Sequence, residues 1–449
     1  MRPAPTRLAA PRVPLAAVLM TLLALAAVPP AALAQATAAA APASTASATS
    51  AAASAPADGV RPELFPVLAS AQELLRQQQF SATLAKLRET DALGAKSPYE
   101  AFVTERLRLA AASGAGDGAV AERAHDALIA GGRLPAADRA ALVQAVLTAY
   151  YRAQDYTRSS DWARRLREEP SATPAQKSLA QQWLAQSRYL LKDYASAARE
   201  MQAELKAGEA AGQAPGEERL RLLASAQAQL KDMAAYQATL ERLVTLYPKK
   251  TYWADLVGRV AAREGFADRL VLDALRLKAV VCGGLDETTD VMTLAEMAQQ
   301  GGQSIEARRW IQQAYANGQF GSGAQAAAQA KLRDAVQRSA ADDEAALKGR
   351  GPAVKEALAQ ASWGQSYIAA GQTERGLAMM EEALAKGSLK RPDEVRLRLG
   401  AAYAQAGQAG QADKAEKAIR TLQAVQGSDG SADLARLWLL HLKQPTAAR

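Results

Sequence analysis

The sequence predicts an all-α fold, built as a repeat array of antiparallel helix hairpins. Three observations lead there. The 449-residue chain is 49% hydrophobic but only 5% aromatic. Its apolar fraction is mostly Ala and Leu, strong helix formers, while the β-preferring Val, Ile and Thr are sparse. From Asp58 onward the apolar pattern is helical, with breaks every 12–18 residues. The breaks themselves recur. A polar turn residue meets an apolar or aromatic one at Gln79-Phe80, Asp155-Tyr156, Asp193-Tyr194, Asp232-Met233 and Gly265-Phe266, and less clearly at Asp117-Gly118, Gln303-Ser304, Gln372-Thr373 and Gln408-Ala409. The second members are spaced by 38, 38, 38, 39, 33, 38, 69 and 36 residues. A near-constant period in this range marks stacked supersecondary units. The spacing of 69 places one degenerate unit between Gly321 and Gly351, beside nine clear ones. A single core rarely grows past ~250–300 residues, so repetition also fits the length.

The first 34 residues stand apart from the fold. Arg2, Arg7 and Arg12 form a positive segment, Val13 to Val28 is apolar, and Ala32-Leu33-Ala34 is an A-x-A cleavage signature. This predicts a cleavable export signal, cut after Ala34, and a periplasmic location. The alternative is an uncleaved anchor, but the apolar run is shorter than the ~20 residues a spanning helix needs. Residues 35–57 are almost wholly Ala, Ser, Thr and Pro and read as a disordered linker. Residues 58–348 read as the main solenoid, 349–426 as C-terminal repeats and 427–449 as a capping helix and tail.

Helix starts agree with this register. Ser97-Pro98-Tyr99-Glu100 and Thr173-Pro174-Ala175-Gln176 each offer a capping hydroxyl, Pro at the first helical position and Glu or Gln at the capping-box position. Gly349, Gly351 and Pro352 break the chain and mark a candidate hinge. Ser431 opens a final amphipathic helix through Leu434, Leu437, Trp438 and Leu440, expected to cover the last hairpin.

The last two units carry a family resemblance. Trp363-Gly364, Tyr367, Gly371 and Gly376 are followed at the same offsets by Leu399-Gly400, Tyr403, Gly407 and Ala412. Tyr194, Ala197 and Met201 fit the fourth unit, Pro248 closes the fifth and Trp253 opens the sixth. On these residues the chain resembles tetratricopeptide repeats (TPRs), whose pattern is W-x2-L-G-x2-Y, then A-x3-F, then P, over ~34 residues. The resemblance spans roughly residues 60–426. It departs where Ala112, Arg188 and Gln227 replace the family aromatic. Small residues at Ala185, Ala224, Ala295, Gly364 and Gly400 are the expected points of close helix approach.

Little in the sequence suggests catalysis. Two His (His125, His441) and one Cys (Cys282) cannot supply a His-based triad, a multi-His metal site or a disulfide framework within the chain. No hydrolase, metalloprotease or phosphate-loop motif occurs. Gly114, Gly116 and Gly118 lack the preceding strand of a phosphate cradle and read as a flexible turn. Both His read as packed or half-exposed rings. Cys282 reads as a buried small hydrophobe, with an intermolecular disulfide as the alternative. The net charge is +8, and +8 − 3 = +5 once the signal segment's three Arg are removed. That is mild for a chain of this length and argues against nucleic acid. No metal, cofactor or membrane span after cleavage is expected.

Binding is therefore the expected function class. The TPR resemblance implies that the first helix of each hairpin lines a groove for a peptide or helix. Mapped onto this chain, the groove candidates are Gln144, Tyr151, Arg152, Gln182, Gln186, Tyr189, Arg221 and Gln229. The carboxylate-clamping subtype uses Asn with Lys or Arg, whereas the only Asn here is Asn317. The segment Leu246–Trp253 is also similar to exported TPR proteins that accompany TonB and proton-channel energy-transduction components. The leading expectation is a non-enzymatic periplasmic scaffold with a protein or peptide partner. The alternative is a periplasmic chaperone or assembly factor that holds exported clients.

Overall fold

A computed structural model describes residues 59–348, 355–408 and 411–444. The predicted signal and linker, the candidate hinge at Gly349, Gly351 and Pro352, and the tail beyond Gln444 lie outside these residues. Among the described residues the fold is all-α, with twenty α-helices and no strand. The helices pack in adjacent pairs as a helical-hairpin solenoid. No described helix is long and apolar enough to cross a membrane. The chain divides into two compact units meeting at Tyr236 and Gln237.

The first unit holds α1 (Phe65–Arg76), α2 (Phe80–Arg88), α3 (Pro98–Ala115), α4 (Gly118–Ala130), α5 (Arg139–Arg152), α6 (Tyr156–Glu168), α7 (Pro174–Leu190), α8 (Tyr194–Ala210), α9 (Glu217–Gln229) and the start of α10 (Met233–Leu246). The second continues through α11 (Lys250–Ala261), α12 (Val271–Val281), α13 (Thr288–Gln300), α14 (Ser304–Ala316), α15 (Ala326–Lys348), α16 (Ala357–Ala369), α17 (Thr373–Ala385), α18 (Pro392–Gln408), α19 (Ala412–Gln423) and α20 (Ser431–Leu442). The degenerate unit expected between Gly321 and Gly351 contains one long helix, α15.

The recurring turn has a physical cause. Phe80, Gly118, Tyr156, Tyr194, Met233, Ser304 and Thr373 are each the first residue of the second helix of a hairpin. The polar residue before each is its N-cap. Asp117, Asp155, Asp193 and Asp232 accept from the amides of Val120, Arg158, Ser196 and Ala235 at 3.0–3.2 Å. The residue before the cap is left-handed: Gln78, Gln154, Lys192 and Lys231 have φ near +60°. The backbone there makes paired Schellman bonds. In the third hairpin Asp155 N donates to Tyr150 O (3.0 Å) and Gln154 N to Tyr151 O (3.1 Å). One polar residue thus ends one helix and starts the next, satisfying orphan groups of both. That economy fixes a short turn and hence the repeat length.

Packing follows from small residues. Ala185, Ala224 and Ala295 are buried. A Cβ on Gly364 would lie 2.8 Å from the Gly376 carbonyl oxygen, and one on Gly400 would lie 2.6 Å from Leu422 Cγ. The backbones of these hairpins are therefore nearly in contact. Gly114 and Gly118, read from sequence as a flexible turn, are instead helical packing positions. A Cβ on either would fall 2.3–2.4 Å from the ring of Phe80 or Tyr150. Only Gly116 between them, at φ +77°, serves the turn.

The second unit closes on itself. Helix α20 covers α18 and α19 as expected, but it also packs against α11 and α12. His441 of α20 is 3% exposed, with the rings of Trp253 (α11) and Trp438 set edge-on to it at 6.1 and 6.2 Å. The turn before α20 reaches the same region. Ala267 N donates to Asp429 O at 2.9 Å, and Gly430, at φ +105°, leaves room for the Phe266 ring. Gln444 Nε2 donates to Val244 O at 2.8 Å, and Arg436 pairs with Glu241.

Candidate functional site

Each unit holds one candidate site. In the first unit the leading helices of successive hairpins pack side by side, α3 on α5 and α5 on α7. Gln144, Gln182 and Arg221 occupy equivalent repeat positions, spaced 38 and 39 residues apart. All three are half-buried. Gln144 accepts from Gln176 at the start of α7 (3.4 Å), and Arg221 pairs with Glu218 (2.7 Å).

The other candidates divide. Tyr189 is half-buried and its hydroxyl lies 2.6 Å from Ser225 of α9, linking two repeats. Gln186 is buried at 7% exposure, and Gln229 is exposed at the end of α9. Tyr151 is wedged between Tyr156 and Trp183, with centroids at 5.6 and 4.8 Å. Burial pushes its hydroxyl up to about 12. It fills an inter-repeat gap rather than offering a free phenol. Arg152 lies over the preceding turn and donates to Gly114 O at 3.3 Å.

Sequence reasoning missed one member of the row. Arg106 precedes Gln144 by the same 38 residues. Burial lowers its guanidinium pKa, with Asp138 and Tyr99 acting the other way. The Nε atoms of Arg106, Arg152 and Arg221 are shielded from solvent without an acceptor. The repeat period was the signal that could have found Arg106.

The second place is a cavity of about 300 Å³ inside the closed second unit. Its wall comes from α12, α14, α16, α17, α18 and α20. One side is ionic. Arg398 of α18 grips Asp273 of α12 through Nε (3.1 Å) and Nη2 (2.9 Å), and also reaches Glu394 at 2.8 Å. Arg276 donates to Asp273 at 2.9 Å and to Glu306 at 3.0 Å. Arg269 joins Glu394 (3.1 Å) and Asp429, and Arg391 joins Glu394 at 3.0 Å. Four guanidinium groups therefore balance four carboxylates. Burial raises the Asp273 carboxyl, but Arg398 and Arg276 together outweigh it and hold it below the usual carboxylate value. The other side is apolar, with Val280, Ile368, Leu397 and Trp438. No local pattern announced this cavity, because its walls are up to 165 residues apart (438 − 273).

The remaining reactive side chains are packed. His125 lies edge-on to Trp162 at 4.9 Å, with Nδ1 3.0 Å from Asp126. Cys282 is half-buried, its thiol 3.5 Å from Lys250 O, and burial raises its pKa. Among the described residues no group of three or more His, Cys, Asp or Glu is placed to hold a metal. No protein-family model matches the chain, and no curated protein matches it significantly.

Proposed function

We propose that this chain is a non-enzymatic, exported binding protein whose first unit holds a protein or peptide partner in a periplasmic assembly at the cell envelope. One observation carries the reading. Arg106, Gln144, Gln182 and Arg221 stand at one repeat position on successive leading helices. All four are polar and half-buried, so each keeps part of its side chain open to a partner. A periodic row of donors suits an extended peptide, whose carbonyls also recur, and favours acidic side chains beside them. The same row is polar, which favours a defined partner over a holdase that grips exposed apolar segments. The envelope energy-transduction machinery is the first place to seek the partner, from the resemblance of Leu246–Trp253.

A photo-crosslinking amino acid at Gln182 tests this, with Arg164 on α6, the second helix of the preceding hairpin, as the control site. Crosslinking in intact cells should capture one recurrent periplasmic partner from position 182 and not from 164. Equal capture at both sites, or none at 182, would remove the support for a specific face.

A further inference from the structure

We infer that the half-open cavity of the second unit is a binding site for a small apolar molecule bearing one carboxylate. This site is separate from the partner face of the first unit. The two acids of the wall, Asp273 and Glu306, are engaged by Arg276 and Arg398, which also line it. Arg309 also lines the cavity, is solvent-exposed, and has no ion-pair partner among the described residues. The site therefore carries one surplus positive charge. Trp310 lines the same cavity with its half-buried ring, beside the apolar wall. A carboxylate accepts charge-assisted hydrogen bonds from a guanidinium.

The rest of the wall selects the body of the ligand. Ile368, Leu397 and Trp438 are apolar, and the α18 face between them carries only Ala401, Ala402 and Ala406 beside Gln405. Small residues there leave space that a larger side chain would fill. At roughly 30 Å³ for each water-sized group, about 300 Å³ accommodates on the order of ten such groups. That matches a medium-chain aliphatic carboxylate better than a folded segment. The size also falls at the lower end of ordinary ligand pockets.

Decanoate, below its micelle concentration, is the probe, with decanol and decylamine as neutral and cationic matches. Titration of the full chain is followed by calorimetry and by tryptophan emission, since Trp310 and Trp438 face the cavity. Saturable one-to-one binding of decanoate is expected, with decanol about tenfold weaker, the equivalent of one lost charge-assisted contact. Decylamine should not bind. Arg309→Ala should raise the decanoate Kd about tenfold and leave helicity unchanged, since the residue is exposed. Ala402→Leu should abolish binding, with circular dichroism confirming that the variant folds. Absence of saturable binding to the unaltered chain would overturn the inference. So would equal affinity for decanol, or an unchanged Kd in Arg309→Ala.

Discussion

Arg398 and Asp273 are 125 residues apart in the chain yet share a bidentate contact, with Nε and Nη2 both on the carboxylate. The pair ties α18 to α12 inside the closed second unit. Asp273 is 5% exposed. Removing one partner of such a buried pair strands the other charge and costs about 3–5 kcal/mol. Asp273→Ala should therefore lower the unfolding midpoint of the second unit in denaturant titration. The double variant Asp273→Leu, Arg398→Met should recover much of that loss, because neither charge is then left unpaired. A single substitution that leaves the midpoint in place would show that the contact is not formed in solution.

The same carboxylate predicts an acid dependence. Its folded pKa lies below the ordinary value of ~3.9. The stability it contributes is thus complete above that ordinary value. It is lost as pH falls below it and through the lower folded value. Denaturant titrations of the full chain between about pH 2 and 6 should show falling stability at the acidic end. Asp273→Asn should start lower and lose less over that window. Parallel curves would assign the acid dependence to other carboxylates.

The turns make a prediction of opposite signs at adjacent residues. Gln154 is exposed and left-handed at φ +60°, a conformation costly for a residue with a Cβ. Gln154→Gly should stabilise the first unit by up to about 1 kcal/mol, the reverse of the effect of glycine inside a helix. Asp155→Ala, one residue on, removes the cap on Arg158 N and should cost about 1 kcal/mol. Thermal unfolding reads both. A destabilised Gln154→Gly would mean that the turn is not left-handed.

Glycine positions within helices also differ in sign. A Cβ on Gly376 would meet Gly364 O at 2.4 Å, a backbone atom that cannot turn aside. Gly376→Ala should cost about 1–3 kcal/mol by forcing α16 and α17 apart. Gly258, inside α11, has nothing within 4 Å of its Cβ position. Gly258→Ala should stabilise by up to about 1 kcal/mol through helix propensity alone. Equal effects at the two positions, measured by chemical unfolding, would contradict the packing of the eighth hairpin.

At the chain's first described helices, Glu100 does two things. Its carboxylate closes the capping box on Ser97 N (2.9 Å) and accepts from Arg61 N and Nε (both 2.9 Å). Ser97→Ala removes one cap bond and should cost about 1 kcal/mol. Glu100→Ala should cost more, since it also releases the segment before α1. Hydrogen exchange should then show faster opening at Arg61–Phe65 in Glu100→Ala than in Ser97→Ala.

The sequence was most informative where the physics is local. Phe80, Tyr156, Tyr194 and Met233 were legible as hairpin markers because an N-cap and a left-handed residue must recur at each tight turn. The capping boxes at Ser97 and Thr173 were legible for the same reason. The candidate groove was legible only in part. The TPR resemblance, mapped through the repeat, put Gln144, Gln182 and Arg221 among the groove candidates, but it could not show that Tyr151 is spent on Trp183 or that Gln186 is buried. Such outcomes depend on the neighbour's rotamer and spacing, which no single repeat encodes.

By itself, then, the sequence determined an all-α hairpin array, the place of most of its turns (Phe266, expected to open a helix, instead lies in the turn before Val271) and the small residues through which its helices touch. These are set within one or two repeats by helix propensity, capping and close packing. Only the tertiary structure decided that the second unit closes, with α20 against α11 and α12, and that closure brings Asp273, Arg398, Arg309 and Trp438 around one cavity. Closure depends on the small rotation between successive hairpins accumulating over many of them, a sum that local sequence leaves unspecified.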